Sequence, residues 1–145
     1  MPDIDPKQKA NSFFKKAKKR VAEKQREIVE DTMDTLWRNS PHYLESRGEQ
    51  AKGEYDANHK VVINNKPATP HNPATRDKER SRFLHNQEAA KKRGVECGDS
   101  VRILNTTEHA TDVEYGGALW IKTPGYYTYK KTKAEIKGTY KNVLE

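Results

Sequence analysis

Residues 6–37 carry one uninterrupted helical pattern, and that pattern constrains everything else the chain can do. Ala10, Phe14, Ala17, Val21, Ile28 and Thr32 recur at spacings of three, four or seven, with Phe13, Val29, Met33 and Leu36 widening the stripe. Asp5 is placed to cap the helix, Pro6 suits its first position, and Asn39-Ser40-Pro41 stops it. About 32 residues at ~1.5 Å each make a rod of roughly 48 Å, long for so small a domain. The simplest reading is a single amphipathic helix over 1–38, counting its lead-in.

The charges along that helix run in an unusual order. Residues 7–26 hold nine cations and one acid, Glu23, with Lys15, Lys16, Lys18, Lys19 and Arg20 the densest run; Glu27, Glu30, Asp31 and Asp34 follow. A helix macrodipole favours the opposite order, acids first and bases last. Local stability was therefore not the main constraint. The segment reads either as a solvated charged face or as a basic end that meets something acidic in an assembly.

Composition sharpens this choice. Of 145 residues, 32% are hydrophobic and 34% charged, and the mean hydropathy is −1.15, so much of the surface must be solvated or buried only against partner subunits. The length suits one domain, 1–145, with a thin core. A net charge of +7 favours an acidic partner, nucleic acid among them. Cys97 is the only cysteine, which excludes an internal disulfide and fits assembly in a reducing cytoplasm. No window reaches the ~18 apolar residues of a membrane span, and "MPDIDPKQK" lacks a signal-peptide core, so a soluble, unprocessed chain without a membrane partner is expected.

Beyond the helix, "HKVVINN" predicts a short strand through Val61, Val62 and Ile63, and residues 64–79 a Pro-rich extended loop. A peripheral polar helix is expected over 78–93, capped by Thr75 or Asp77, closed by Gly94, with only Phe83, Leu84 and alanines to offer a face. "GDSVRILN" predicts a strand entered by a Gly98-Asp99 turn, with Val101 and Ile103 on one face. Residues 98–145 would thus hold a strand, a projecting loop and a C-terminal helix, with Thr123 and Pro124 as its cap and first residue. The fold class is α+β: a long N-terminal amphipathic helix on a small antiparallel sheet, a peripheral polar helix and a C-terminal helix.

Catalytic and metal chemistry find no purchase in this sequence. The five histidines (His42, His59, His71, His85, His109) are scattered singly, one cysteine cannot build a zinc site, and no serine or cysteine sits in a nucleophile elbow. "GVECG" lacks the residues of a phosphate loop, and nothing nearby would desolvate Glu108 or Glu114 selectively. A non-enzymatic chain with no cofactor and no metal is expected.

The ordered pieces "SPH" after Leu36-Trp37, "SRG" at 46–48, "SVRILNTTEHATDVEYGG" and Pro124-Gly125 resemble the tail-completion and minor tail proteins of tailed bacteriophages, the tail-terminator and neck ring proteins. That family has an N-terminal amphipathic helix, a Ser or Thr-Pro turn with a Gly loop, a strand ending in Asn, a segment like "YAxxVEYG" and a Pro-Gly step into the last element. Here Glu45-Ser46-Arg47-Gly48 replaces the usual Thr-Gly, and His109 stands where Tyr is common.

The resemblance implies a virion structural protein, assembled in the bacterial host cytoplasm and located in the tail or neck. It would form a homo-oligomeric ring, six-fold by analogy, at the head-proximal end of the tail, joining the tail tube to connector proteins. In the stretch "NTTEHATDVEYGG", Asn105 would turn the chain, Thr106 or Thr107 cap a short helix, and Ala110, Val113 and Tyr115 pack it onto the sheet and long helix. Gly116-Gly117 would then project Leu119, Trp120 and Ile121 toward a neighbour, beside Phe13, Phe14 and Val21 as interface residues. Two rivals are a small basic nucleic-acid-binding protein, whose basic helix tracks phosphates with weak DNA contact, and a head-side stopper or adaptor of the connector.

Overall fold

Helix α1 extends over Pro6–Asn39 in the computed structural model, which describes residues 5–41, 54–72, 78–108, 110–116 and 125–144. Its start is the expected one: the Asp5 carboxylate accepts from Lys7 N at 3.1 Å and Pro6 opens the first turn. Its end is equally local, because Ser40 turns extended, donates its N–H to Trp37 O at 3.2 Å and its Oγ to Leu36 O at 2.6 Å.

The remaining elements follow as α2 (Glu54–Ala57), β1 (His59–Ile63), β2 (Lys66–Pro67), α3 (Glu79–Arg93), β3 (Val101–Asn105), α4 (Ala110–Tyr115), α5 (Thr128–Thr139) and α6 (Lys141–Leu144). The sheet is antiparallel in the order β2-β1-β3, with His59 opposite Asn105 and Ile63 opposite Val101. The α+β fold is thus as the sequence implies. Inside the Pro-rich loop lies β2, which the sequence reading did not anticipate. It pairs Val62 with Pro67 and Ile63 with Lys66 across Asn64-Asn65, both at positive φ (52° and 67°). Two positive-φ residues define the hairpin turn whose twist matches its strands, and asparagine tolerates that region.

The main core joins Met33 and Leu36 of α1, Val61 and Ile63 of β1, Phe83 and Ala90 of α3, and Val95. Helix α3 is therefore seated deeper than its polar composition suggests: Phe83 is fully buried against Trp37, while Leu84 faces outward. Its N-cap is Lys78, without a side-chain cap bond, and Thr75 and Asp77 lie outside the described residues. Gly94 closes it at φ 71° as expected.

A second, smaller cluster holds Tyr55 and Val113, with Ala110, Tyr126 and Tyr129 packed against it. Val113 is buried as expected, but Tyr115 is 63% exposed and Val113 packs on Tyr55 rather than on α1. Two residues apart on a helix are about 200° apart, so Val113 and Tyr115 cannot share a face.

The last helix also starts later than the Thr-Pro signal implies. Its first residue is Thr128, and Tyr127 precedes it at φ 50°. Gly125 explains the delay: a methyl there would lie 2.4 Å from Gly116 N and 2.5 Å from Glu114 O. The two backbones touch, and Tyr126 N and Tyr127 N donate to Val113 O (2.9 Å) and Glu114 O (3.0 Å). Only after that contact is the chain free to coil. Once started, α5 packs along α1: Thr128 Oγ1 donates to Asn39 O at 3.2 Å, Asn39 Nδ2 to Thr132 Oγ1 at 3.2 Å, and Arg38 pairs with Glu135.

Candidate functional site: an exposed helical arm and a buried polar centre

Burial along α1 begins at Ala22, so the first four turns stand clear of the described body. Phe13 is 68% exposed, Phe14 60% and Val21 46%, the two rings meeting edge to face at 5.9 Å. Lys15, Lys16, Lys18, Lys19 and Arg20 are exposed around them. The structure thus brings together three predicted interface residues and all five predicted basic residues on one arm. Leu119, Trp120 and Ile121 lie outside the described residues, as do His42, His109 and the "SRG" turn.

Two concave surfaces flank the buried half of the helix. A groove of about 300 Å³ runs between α1 and α3, and a wider, shallower one of about 880 Å³ lies between α1 and the outer strand β3. Glu23, Glu27 and Glu30 border the first, over a floor of Val29, Met33, Ala90 and Val95.

Below these surfaces sits a polar centre that sequence reasoning missed. Lys60, 1% exposed in the middle of β1, directs its ammonium at three neutral oxygens: Thr69 Oγ1 at 2.9 Å, Pro70 O at 2.6 Å and Asn86 Oδ1 at 3.1 Å. Burial without a carboxylate partner lowers its pKa to about 8. Asn86 also donates to Ala57 O at 2.7 Å, and Asn58 and Asn72 exchange bonds of 2.8 and 2.7 Å. These side chains fasten residues 69–72 to β1 and α3. A polar run such as "DANHK" followed by Thr-Pro and Asn was the available signal, but its partners are 9 to 29 residues away.

The arrangement around His59 has the parts of a nucleophilic site and the opposite wiring. Nε2 lies 2.7 Å from Ser40 Oγ, and Nδ1 lies 2.8 Å from Tyr129 OH and 3.3 Å from Asn105 Nδ2. Ser40 already donates its proton to Leu36 O, so Nε2 must donate to Oγ, and Nδ1 accepts from the tyrosine and asparagine. A base for Ser40 would need a bare Nε2. Ser40 is also 3% exposed, so this chain of bonds joins α1, β1, β3 and α5 instead of facing a substrate.

Glu114 is engaged as well. Its carboxylate accepts from Tyr129 N at 2.9 Å and Lys130 N at 3.0 Å, capping α5 from another element. Burial first, then nearby charge including Glu114, holds the Tyr55 and Tyr129 phenols well above their ordinary range. Among the described residues no group of His, Cys, Asp and Glu is placed to hold a metal, and no helix is long and apolar enough to cross a membrane. Compared with protein-family models, curated proteins and solved structures, the chain matches none.

Proposed function

We propose that the chain is a structural subunit of a larger assembly and not a catalyst. More narrowly, it is a tail-completion or neck protein of a tailed bacteriophage, built in the host cytoplasm. It forms a ring at the head-proximal end of the tail, six-fold by family resemblance, joining tail tube to connector.

The observation that carries this reading is the arm: two phenylalanines and a valine stand in water on a helix that is first buried at Ala22. Soluble chains leave such a stripe open when a partner covers it. The segment of family resemblance supports it further, since "VRILN" forms a strand, Asn105 Oδ1 accepts from Thr107 N at 3.0 Å to turn the chain, and "VEYG" meets Gly125. The exposed cations favour one rival, a phosphate-tracking helix, but a phosphate contact has no use for exposed aromatic rings.

Native mass spectrometry of the protein, alone and with purified tails, tests the reading. Closed homo-oligomers, or incorporation into tails, are expected. A strictly monomeric protein that never enters tails or virions overturns it. Nanomolar, sequence-selective duplex binding at physiological salt would favour the nucleic-acid rival.

A further inference from the structure

The exposed arm and the groove between α1 and α3 match each other in size and charge. The groove holds about 300 Å³ above Val29, Met33, Ala90 and Val95, and an apolar cavity of about 150 Å³ is enough to take a benzene ring. Of its bordering carboxylates, Glu27 is paired with Lys24, whereas Glu23 and Glu30 make no ion pair among the described residues. Arg26 and Lys91 border it too, but Arg26 Nε is bonded to Val95 O at 2.9 Å. On the arm, Phe13 and Phe14 are followed at once by Lys15, Lys16, Lys18 and Lys19. Apolar rings followed by four lysines are set against an apolar floor whose rim carries three carboxylates to two cations.

We propose that this groove receives Phe13 and Phe14 of a second copy of the chain, with the arm lysines against Glu23 and Glu30. The arm cannot reach its own groove: both belong to one continuous helix, and Phe14 and Val29 are about 22 Å apart along its axis. Nor is the contact a symmetric pairing of one face with itself. At about 100° per residue, Phe14 and Val21 share one side of α1, the groove floor at Val29 and Met33 lies about 60° and 100° round from Phe14, and the rim at Glu23 and Glu30 about 160–180°. Each copy can therefore give its arm and accept another at the same time. Such a head-to-tail contact closes into a ring if its rotation permits and otherwise runs on as a filament. The proposal rests on the reading of the chain as a self-assembling subunit and adds the surfaces through which it assembles.

Three proteins test it: the full chain, the arm variant Phe13→Ser with Phe14→Ser, and the groove variant Glu23→Lys with Glu30→Lys. All four positions are exposed, so thermal unfolding of the monomer should not change and verifies that each variant folds. In sedimentation velocity over a concentration series, the parent chain is expected to pass beyond two copies, and more weakly as salt rises. Each variant alone should lose self-association by about tenfold or more. Mixed in equal amounts, the two should form a two-chain complex and nothing larger, since one intact arm and one intact groove remain between them. Variants that assemble as the parent does would overturn the docking proposal and leave the ring reading standing on other surfaces. A parent chain that stays monomeric overturns it too, and the tail-incorporation experiment then decides the ring reading separately. Monomers whose arm variant alone loses binding to a duplex DNA probe would give the arm to nucleic acid instead.

Discussion

Replacing Lys60 with methionine should remove a pH dependence of stability that the wild-type chain carries between pH 8 and 10. The ammonium is enclosed by three neutral oxygens, and its pKa falls from 10.5 to about 8 on folding. At ~1.36 kcal/mol per pH unit this corresponds to about 3 kcal/mol against the charged folded form. Pro70 stands in solvent beside the ammonium, and screening there brings the expected effect down to about 2 kcal/mol. Below pH 8 both folded and unfolded chains hold the proton, and the full cost is present. From pH 8 toward 10.5 the folded chain gives up its proton first, so the unfolded state binds more protons and stability rises with pH. Above about pH 10 the sign reverses, because Tyr55 and Tyr129, raised by burial, ionise first in the unfolded chain.

Urea unfolding of both proteins at intervals from pH 7 to 10 measures the effect, and the difference between them cancels every other titrating group. In Lys60→Met, Asn86 Oδ1 keeps Thr69 as a donor while Pro70 O loses one. The lost bond costs about 1–3 kcal/mol, so at pH 7 the variant should be close to wild type. At pH 10 wild type should have gained about 2 kcal/mol over it. A wild-type profile flat from pH 7.5 to 9.5, or one that the variant reproduces, refutes the reasoning.

Gly125→Ala should destabilise by several kcal/mol in thermal unfolding, since its methyl meets backbone at 2.4 Å. Gly138→Ala, in a helix with nothing within 4 Å, should stabilise by about 0.5–1 kcal/mol. Glu114→Gln weakens two charge-assisted cap bonds and should cost about 1 kcal/mol, read from the same melts. Val113→Asp places a carboxylate in the Tyr55 cluster and should abolish the cooperative transition, whereas Tyr115→Ser, on the exposed side, should leave it within about 0.5 kcal/mol.

What the sequence discloses here is what depends on neighbours along the chain. The cap at Asp5, the proline after it, the stripe through Met33 and Leu36 and the Ser40 stop act within four residues, so α1 could be read to within two positions of its end. The strands holding Val61 and Ile103 announce themselves by β-branched runs. The rest depends on contacts across the fold. Helix α5 cannot begin until Gly125 has passed Gly116, and its cap is a carboxylate 15 residues upstream. Nothing local marks Lys60, His59 and Asn86 as a buried polar centre, because their partners are remote in the chain. The exposed apolar stripe of the arm was legible because apolar spacing survives among so many lysines; the groove between α1 and α3 was not, being made by two helices that meet only in the folded chain.

The contact between Gly116 and Gly125, with the bonds of Tyr126 N and Tyr127 N to Val113 O and Glu114 O, ties the chain to itself on either side of residues 117–124. Those bonds do not themselves require a particular number of residues between their partners. Doubling a closed loop adds only about 0.6 kcal/mol of closure entropy. Close variants of this chain can therefore lengthen, shorten or rewrite "GALWIKTP" while the two glycines stay in place. All eight residues can be exchanged with the bonds of Val113 and Glu114 to the start of α5 left as they are.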